Sequence, residues 1–268
     1  MIYLKNLKFF IYGALAFVSV IMIRCIQIAL LTDAENGFFY DRYEGVGNAL
    51  SLLILGIVAV AAVFGFFIHT DNISSAPRPS YVLGGAALLT GIAQLTELFG
   101  HPASLEGVFP LLVMLRTVFI LGSAIIFCYF GIMYILGSQP NYAFVVIPIF
   151  SWVLRLISTF ISFTGMSNIS DNLCDVLMLV STSIFLLLHG KQLCKIHTKK
   201  ELSMTFVFGI IAALTTAVAI LPRWIIAFAG INEFDHVQVD SPLASFFMAV
   251  YIVVYLVNIC NNESTKAE

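Results

Sequence analysis

Two residues of opposite charge, Arg155 and Asp175, lie inside long apolar stretches that only a short polar turn separates. A charged side chain in membrane hydrocarbon costs about 3 kcal/mol even on lenient insertion scales, so it usually faces a protein interior, a partner or a wet cavity. A guanidinium also matches a carboxylate in two parallel hydrogen bonds. We therefore predict that Arg155 pairs across this turn with Asp171 or Asp175, either to fix helix packing or within a binding site.

Further polar residues recur at a similar depth in other apolar stretches. With a rise of about 1.5 Å per helical residue, the four intramembrane arginines fall near one level, about 10 Å below one membrane surface. The carboxylates lie slightly closer to that surface. The predicted substrate-binding set contains four arginines, three carboxylates and one amide: Arg24, Arg116, Arg155, Arg223, Glu97, Asp171, Asp175 and Gln94.

The charge balance of this set predicts its ligand. Four guanidiniums meet at most three carboxylates, so an anion would complete the balance if all are ionised. We expect a pocket for a small anionic or zwitterionic solute, and in a secondary transporter Glu97 or Asp175 would carry the coupling proton. Two alternatives stay open. Each arginine could reach the membrane surface separately on its long side chain, or the charges could only tie helices together in a sensor or a subunit of a larger complex.

The composition places these residues in a membrane. Of 268 residues, 60% are hydrophobic and only 10% charged, whereas about a quarter are charged in soluble domains. The mean hydropathy is +0.99. We predict an all-α, polytopic helix bundle that forms a single integral membrane domain over residues 1–268, with the lipid bilayer as a partner. The chain has no basic patch with interleaved aromatic residues, which argues against nucleic acid as a partner.

Apolar runs of about 20 residues predict eight spans. Lys and Arg are concentrated in the loops of one side and acids in those of the other, which predicts that both termini are cytoplasmic, in a plasma membrane. The second and eighth spans carry no charge at the arginine level and are expected to be peripheral. The predicted spans are Phe9–Leu31, Val46–Ile68, Tyr81–Phe99, Phe109–Leu136, Ala143–Phe163, Leu173–Leu188, Met204–Phe228 and Leu243–Ile259.

The third and seventh spans contain similar segments. Residues 86–97 align with residues 212–223, which suggests a four-plus-four parallel repeat with halves 1–138 and 139–268. Alanine-rich helices often match by chance, so the similarity is weak evidence. Transporters built from repeats commonly bind their substrate where the repeats meet.

Glycines and tyrosines are expected to shape the bundle and its surface. Five glycines are predicted to let helices approach closely: Gly56, Gly65, Gly84, Gly85 and Gly91. Five tyrosines are predicted to contact lipid or to form an interfacial belt: Tyr129, Tyr134, Tyr142, Tyr251 and Tyr255.

Sequence motifs give no support for an enzyme. The chain has no nucleophile elbow, zinc-protease motif or phosphate-binding loop. Glu97 and His101 have the spacing of two metal ligands on one helix face, but a third ligand is missing. We therefore predict no catalytic residue, no metal site and no cofactor. A less favoured alternative is an intramembrane enzyme that acts on lipid-linked or phosphate-bearing substrates and uses the arginines as an anion clamp.

Overall fold

The computed structural model describes residues 2–33, 39–66, 77–99, 109–163, 170–196, 199–230 and 242–261. Within these ranges the chain is helical, apart from connections and one isolated bridge between Thr32 and Phe39. The all-α prediction is confirmed. The long helices are α1 (Ile2–Ile26), α2 (Glu44–Phe66), α3 (Tyr81–Glu97), α4 (Pro110–Ile135), α5 (Val146–Phe163), α6 (Ser170–Leu193), α7 (Lys199–Ala229) and α8 (Pro242–Asn261).

Seven helices of the described chain are long and apolar enough to cross a membrane. The helix outside this set is α3, which has 17 residues and is therefore about 25 Å long. The chain thus has the architecture of a multi-pass membrane protein. The count of eight crossings, the cytoplasmic termini and the internal repeat stay predictions.

Helices α3 to α8 form a closed ring. Each contacts the next in chain order, and α8 packs back against α3. Helices α1 and α2 contact each other and pack against α7, outside this ring. The second span, α2, is peripheral, as expected. The eighth span, α8, was also expected to be peripheral, and this prediction is wrong because α8 is part of the ring. The inward face of α8 carries uncharged aromatic side chains, so the absence of charge did not indicate exposure to lipid.

The closest helix contact in the ring joins α3 to α4 through glycines. A Cβ atom added to Gly131 would lie 2.5 Å from Leu88 Cγ and 2.8 Å from the Gly84 carbonyl oxygen. One added to Gly91 would lie 2.8 Å from the Ala124 carbonyl oxygen. Because the two backbones touch, only glycine fits at these positions, as in other close helix pairs of membrane proteins.

The glycine prediction is right at some positions and wrong at others. Gly84 and Gly91 lie in the α3–α4 contact, and a Cβ atom at Gly65 would lie 2.7 Å from Ile210 Cδ1. In contrast, a Cβ atom at Gly56 or Gly85 would have nothing within 4 Å. These two glycines face open space, so they do not enable a close helix approach.

Candidate functional site

One carboxylate is shared by two arginines where α3, α4 and α5 meet. Glu97 is the last residue of α3, and Arg116 Nη2 on α4 donates to Glu97 Oε1 at 2.8 Å. Arg155 Nη2 on α5 donates to the other oxygen, Glu97 Oε2. The side chains of Glu97, Arg116 and Arg155 are only 5%, 2% and 0% exposed. We call these three residues the α3–α5 group.

Neighbouring side chains fix the two guanidiniums. Arg116 Nη1 donates to Ser158 Oγ at 2.9 Å, and Ser158 Oγ donates to the Arg155 carbonyl oxygen at 2.9 Å. The Arg155 Cζ atom also lies 4.7 Å from the ring centroid of Trp152, which is a cation–π contact. Ser158 and Trp152 therefore hold the arginines in place around Glu97.

Unpartnered polar atoms lie further into the bundle on the same three helices. These atoms are the Gln94 amide, the hydroxyls of Ser123 and Ser151 and the Trp152 Nε1 donor, all buried without a hydrogen-bond partner among the described residues. Measured along the helix axes, Gln94 lies about 4.5 Å deeper in the bundle than Glu97, and Trp152 lies about 4.5 Å deeper than Arg155. The two serines lie about 6–10 Å deeper than the arginine of the same helix. Each buried polar group without a partner costs about 1–3 kcal/mol, so water or a ligand is expected there.

A second buried group brings together α1, α6 and α7 at the same end of the bundle. Arg223 Nη1 lies 3.5 Å from Asp175 Oδ1, further than the roughly 2.8 Å of a good charge-assisted hydrogen bond. Arg24 lies close enough to interact electrostatically with both residues. Its Nη1 donates to Gln27 Oε1 at 3.0 Å, and Gln27 Nε2 donates to the Gly47 carbonyl oxygen of α2 at 2.9 Å. We call Arg24, Asp175 and Arg223 the α1–α7 group.

The described contacts thus divide the four predicted arginines into two groups. Arg155 contacts Glu97 and Asp175 contacts Arg223, so the described contacts do not pair Arg155 with Asp175. The pairing of Arg155 with Asp171 stays a prediction. Gln94 lies one turn below Glu97, as predicted, and is fully buried. The side chain of Asp171 and the residue His101 lie outside the described part of the chain.

The opposite end of the bundle contains a neutral polar cluster that sequence reasoning missed. Tyr251 Oη lies 3.1 Å from His189 Nε2, and the rings of His189 and Tyr255 are 4.2 Å apart in an edge-to-face arrangement. The Tyr255 hydroxyl, His189 Nδ1 and the Gln192 amide have no hydrogen-bond partner among the described residues. The buried Tyr134 hydroxyl lies beside that of Tyr142. Tyr134, His189, Gln192, Tyr251 and Tyr255 lie together at this end. We call these five residues the His/Tyr cluster.

Burial of the His/Tyr cluster corrects the tyrosine prediction. Tyr134, Tyr251 and Tyr255 are buried in the ring instead of facing lipid, whereas Tyr129 and Tyr142 are half-buried. The helical spacing of His189 with Gln192, and of Tyr251 with Tyr255, was the available signal for a polar inward face. The apolar body of tyrosine suits both an interior and a membrane interface, so composition did not distinguish them.

The fold and these groups define a multi-pass helical bundle with buried arginine–carboxylate contacts at one end and neutral polar residues at the other. Comparison with protein-family models, curated proteins and solved structures finds no match to this chain. Within the described residues, no group of three or more His, Cys, Asp or Glu side chains is arranged to hold a metal ion. Any functional conclusion therefore depends on the geometry of the site itself.

Proposed function

We propose that this protein binds a small anionic or zwitterionic solute and carries it across the membrane. The observation that carries the proposal is the α3–α5 group. Two buried guanidiniums converge there on a single carboxylate, and unpartnered polar atoms lie directly inward on the same helices. A site with fixed positive groups and an unsatisfied polar floor suits a solute that carries both a negative charge and hydrogen-bonding groups.

The chemistry of the group suggests how such a solute binds. A guanidinium has five N–H donors, so in the proposed complex Arg116 and Arg155 divide their donors between protein groups and a ligand carboxylate or phosphate. The ammonium of a zwitterionic solute would lie beside Glu97. The rest of the solute would reach the Gln94 amide and the inward hydroxyls, which would satisfy those atoms.

Coupling to a proton gradient would involve one of the two described carboxylates. Glu97 accepts hydrogen bonds from two arginines, and Asp175 lies beside Arg223. Either of these two carboxylates would exchange the proton during transport. The orientation with both termini cytoplasmic rests on the loop charges, and a plasma-membrane location is part of the same proposal.

A non-transporting role is the second candidate. Each arginine group contains its own carboxylate, so each could serve only to tie helices together in a membrane sensor or a subunit of a larger complex. An intramembrane enzyme acting on lipid-linked or phosphate-bearing substrates is less favoured, since no nucleophile or metal motif accompanies the arginines. A stoichiometric membrane partner and the absence of solute binding would favour the sensor or subunit.

Thermal stabilisation by solutes tests the first proposal. The purified protein in detergent is heated with a panel of small carboxylates, phosphates and amino acids, since a ligand that binds the folded state raises its melting temperature. We expect at least one anionic or zwitterionic solute to stabilise the wild type. Substitution of Arg116 or Arg155 by Gln should abolish this shift, and the exposed Lys191→Gln should retain it.

Milder substitutions test the site independently of the arginine variants, which could lose solute binding simply because they unfold. Ser123→Ala and Gln94→Leu leave every arginine in place, and we expect them to weaken solute affinity about tenfold through loss of hydrogen-bonding groups. Retention of solute stabilisation in both the Arg116→Gln and the Arg155→Gln variant would refute the proposed site. Uptake of the stabilising solute by proteoliposomes then separates a carrier from a sensor.

A further inference from the structure

Side chains from helices that are not neighbours in the ring meet inside it. Glu97 on α3 contacts Arg155 on α5 at one end of the bundle. At the other end, Tyr251 Oη on α8 lies 3.1 Å from His189 Nε2 on α6. The helices of each pair are separated by a third helix along the ring, and the four side chains are buried. The α3–α5 group and the His/Tyr cluster therefore face the same interior.

One face of α4 extends from the first of these polar regions to the second. Arg116, Ser123, Phe127, Phe130 and Tyr134 recur on this face at helical spacing, and all five are buried. From Arg116 to Tyr134 the face is about 27 Å long, which is close to the thickness of membrane hydrocarbon. The interior of the ring thus has polar groups at both ends and two phenylalanines between them.

Phe127 and Phe130 close the interior between its two polar regions. The ring centroid of Phe127 lies 5.3 Å from that of Tyr251 on α8, and that of Phe130 lies 6.2 Å from that of Tyr142, in the turn before α5. Both contacts are edge-to-face. Passage along the interior therefore requires these two phenylalanine rings to move.

The His/Tyr cluster offers hydrogen bonds from neutral side chains. The Tyr255 hydroxyl, the Gln192 amide and His189 Nδ1 are buried and have no hydrogen-bond partner among the described residues. A hydroxyl and an amide can each donate and accept, so these groups can bind carboxylate or phosphate oxygens as well as the hydroxyls and amides of a solute. Without a guanidinium they hold an anion more weakly than the α3–α5 group does.

We propose that the His/Tyr cluster is a second binding position for the solute, from which the solute leaves the protein at the end opposite the α3–α5 group. This inference rests on the proposed carrier function and adds a route through the ring to it. The way out passes Tyr134, whose hydroxyl lies beside that of the half-buried Tyr142. Weaker binding at this end suits release, because a transported solute must bind well enough to enter and weakly enough to leave.

A comparison of uptake with binding tests the second position. Radiolabelled L-glutamate, L-glutamine, succinate and inorganic phosphate are offered separately to proteoliposomes, and the thermal stabilisation by each is measured in detergent. Gln192→Leu and Tyr255→Phe remove groups with no described partner, so both variants should fold as the wild type does. We expect each variant to slow uptake about fivefold, the effect of one lost hydrogen bond, and to leave the stabilisation by the solute unchanged.

Two further variants serve as controls. Tyr12→Phe removes the hydroxyl of an exposed tyrosine on α1, outside the ring, and should leave uptake unchanged. Arg155→Gln acts at the α3–α5 group and should abolish both stabilisation and uptake. The inference is overturned if Gln192→Leu and Tyr255→Phe take up solute at the wild-type rate, or if they lose stabilisation as Arg155→Gln does. If the wild type takes up none of the four solutes, the carrier function fails together with it, whereas wild-type uptake in the two variants refutes the second position alone.

Discussion

The two ends of the bundle bury polar groups in different ways. At one end Arg116 and Arg155 are buried together with Glu97 at bonding distance. At the other end the His/Tyr cluster has one described hydrogen bond, between Tyr251 and His189, and several atoms without a partner. A buried charge requires a countercharge, whereas a neutral polar group can be buried at a cost of about 1–3 kcal/mol. The charged end should therefore be far less tolerant of substitution.

Removal of the shared carboxylate is expected to have the largest effect. Glu97→Gln leaves two buried guanidiniums without their carboxylate, and breaking a buried ion pair costs about 3–5 kcal/mol. The free energy of unfolding in detergent should fall by that amount. Gln192→Leu at the opposite end removes an amide with no described partner and should be nearly neutral or stabilising. Equal losses in the two variants would contradict the contrast between the ends.

The glycine contact between α3 and α4 should be the next most sensitive feature, since it holds the helix that carries Glu97. Gly131→Ala would place a methyl group 2.8 Å from the Gly84 carbonyl oxygen, and overpacking of this kind costs about 1–3 kcal/mol. Gly85→Ala, in open space on the same helix pair, should cost nothing. Denaturant titration of both variants checks this, and an unaffected Gly131→Ala would show that the backbones are not in contact.

Within the His/Tyr cluster, two tyrosines should respond differently to loss of the hydroxyl. Tyr251→Phe removes a described hydrogen bond to His189 and should cost about 1 kcal/mol. Tyr255→Phe removes a hydroxyl without a described partner and should leave the free energy of unfolding unchanged. A cost for Tyr255→Phe equal to that for Tyr251→Phe would indicate a bound water or ligand at the opposite end as well.

The smallest effect is expected at a surface ion pair. Lys191 Nζ lies 3.0 Å from Glu201 Oε1, but the lysine side chain is 46% exposed. Exposed pairs contribute about 0–1 kcal/mol because water and salt screen them. Lys191→Gln should change the melting temperature by no more than the measurement error, and a larger change would require a contact beyond this pair.

The sequence was sufficient for the all-helical fold and for the burial of Arg24, Arg116, Arg155 and Asp175, but not for the partner of each charge. Apolar run lengths predict all eight helices, and the cost of charge in hydrocarbon predicts the burial of Arg116 and Arg155. The contact of both arginines with Glu97 depends on how α3 packs against α4 and α8 to close the ring. The spacing of residues along one helix does not specify this packing.

The positions of uncharged residues in the bundle were harder to predict, because they also depend on how the helices pack. The free-energy cost of placing a tyrosine side chain is small in lipid, at an interface and in a protein core. The burial of Tyr251 and Tyr255 therefore follows only from the way in which the helices close the ring. The backbone contact at Gly131 was missed because it depends on the facing residue of α3.

The most direct test of the proposed solute site is whether its inward polar atoms can be reached by water. Ser123→Cys and Ser151→Cys are treated, in liposomes, with a small water-soluble thiol reagent, and adducts are counted by intact-protein mass spectrometry against the wild type with its five cysteines. The account predicts one additional adduct in each variant, and protection from it by the solute that stabilises the protein. No additional adduct in either variant would contradict a ligand cavity beneath the α3–α5 group.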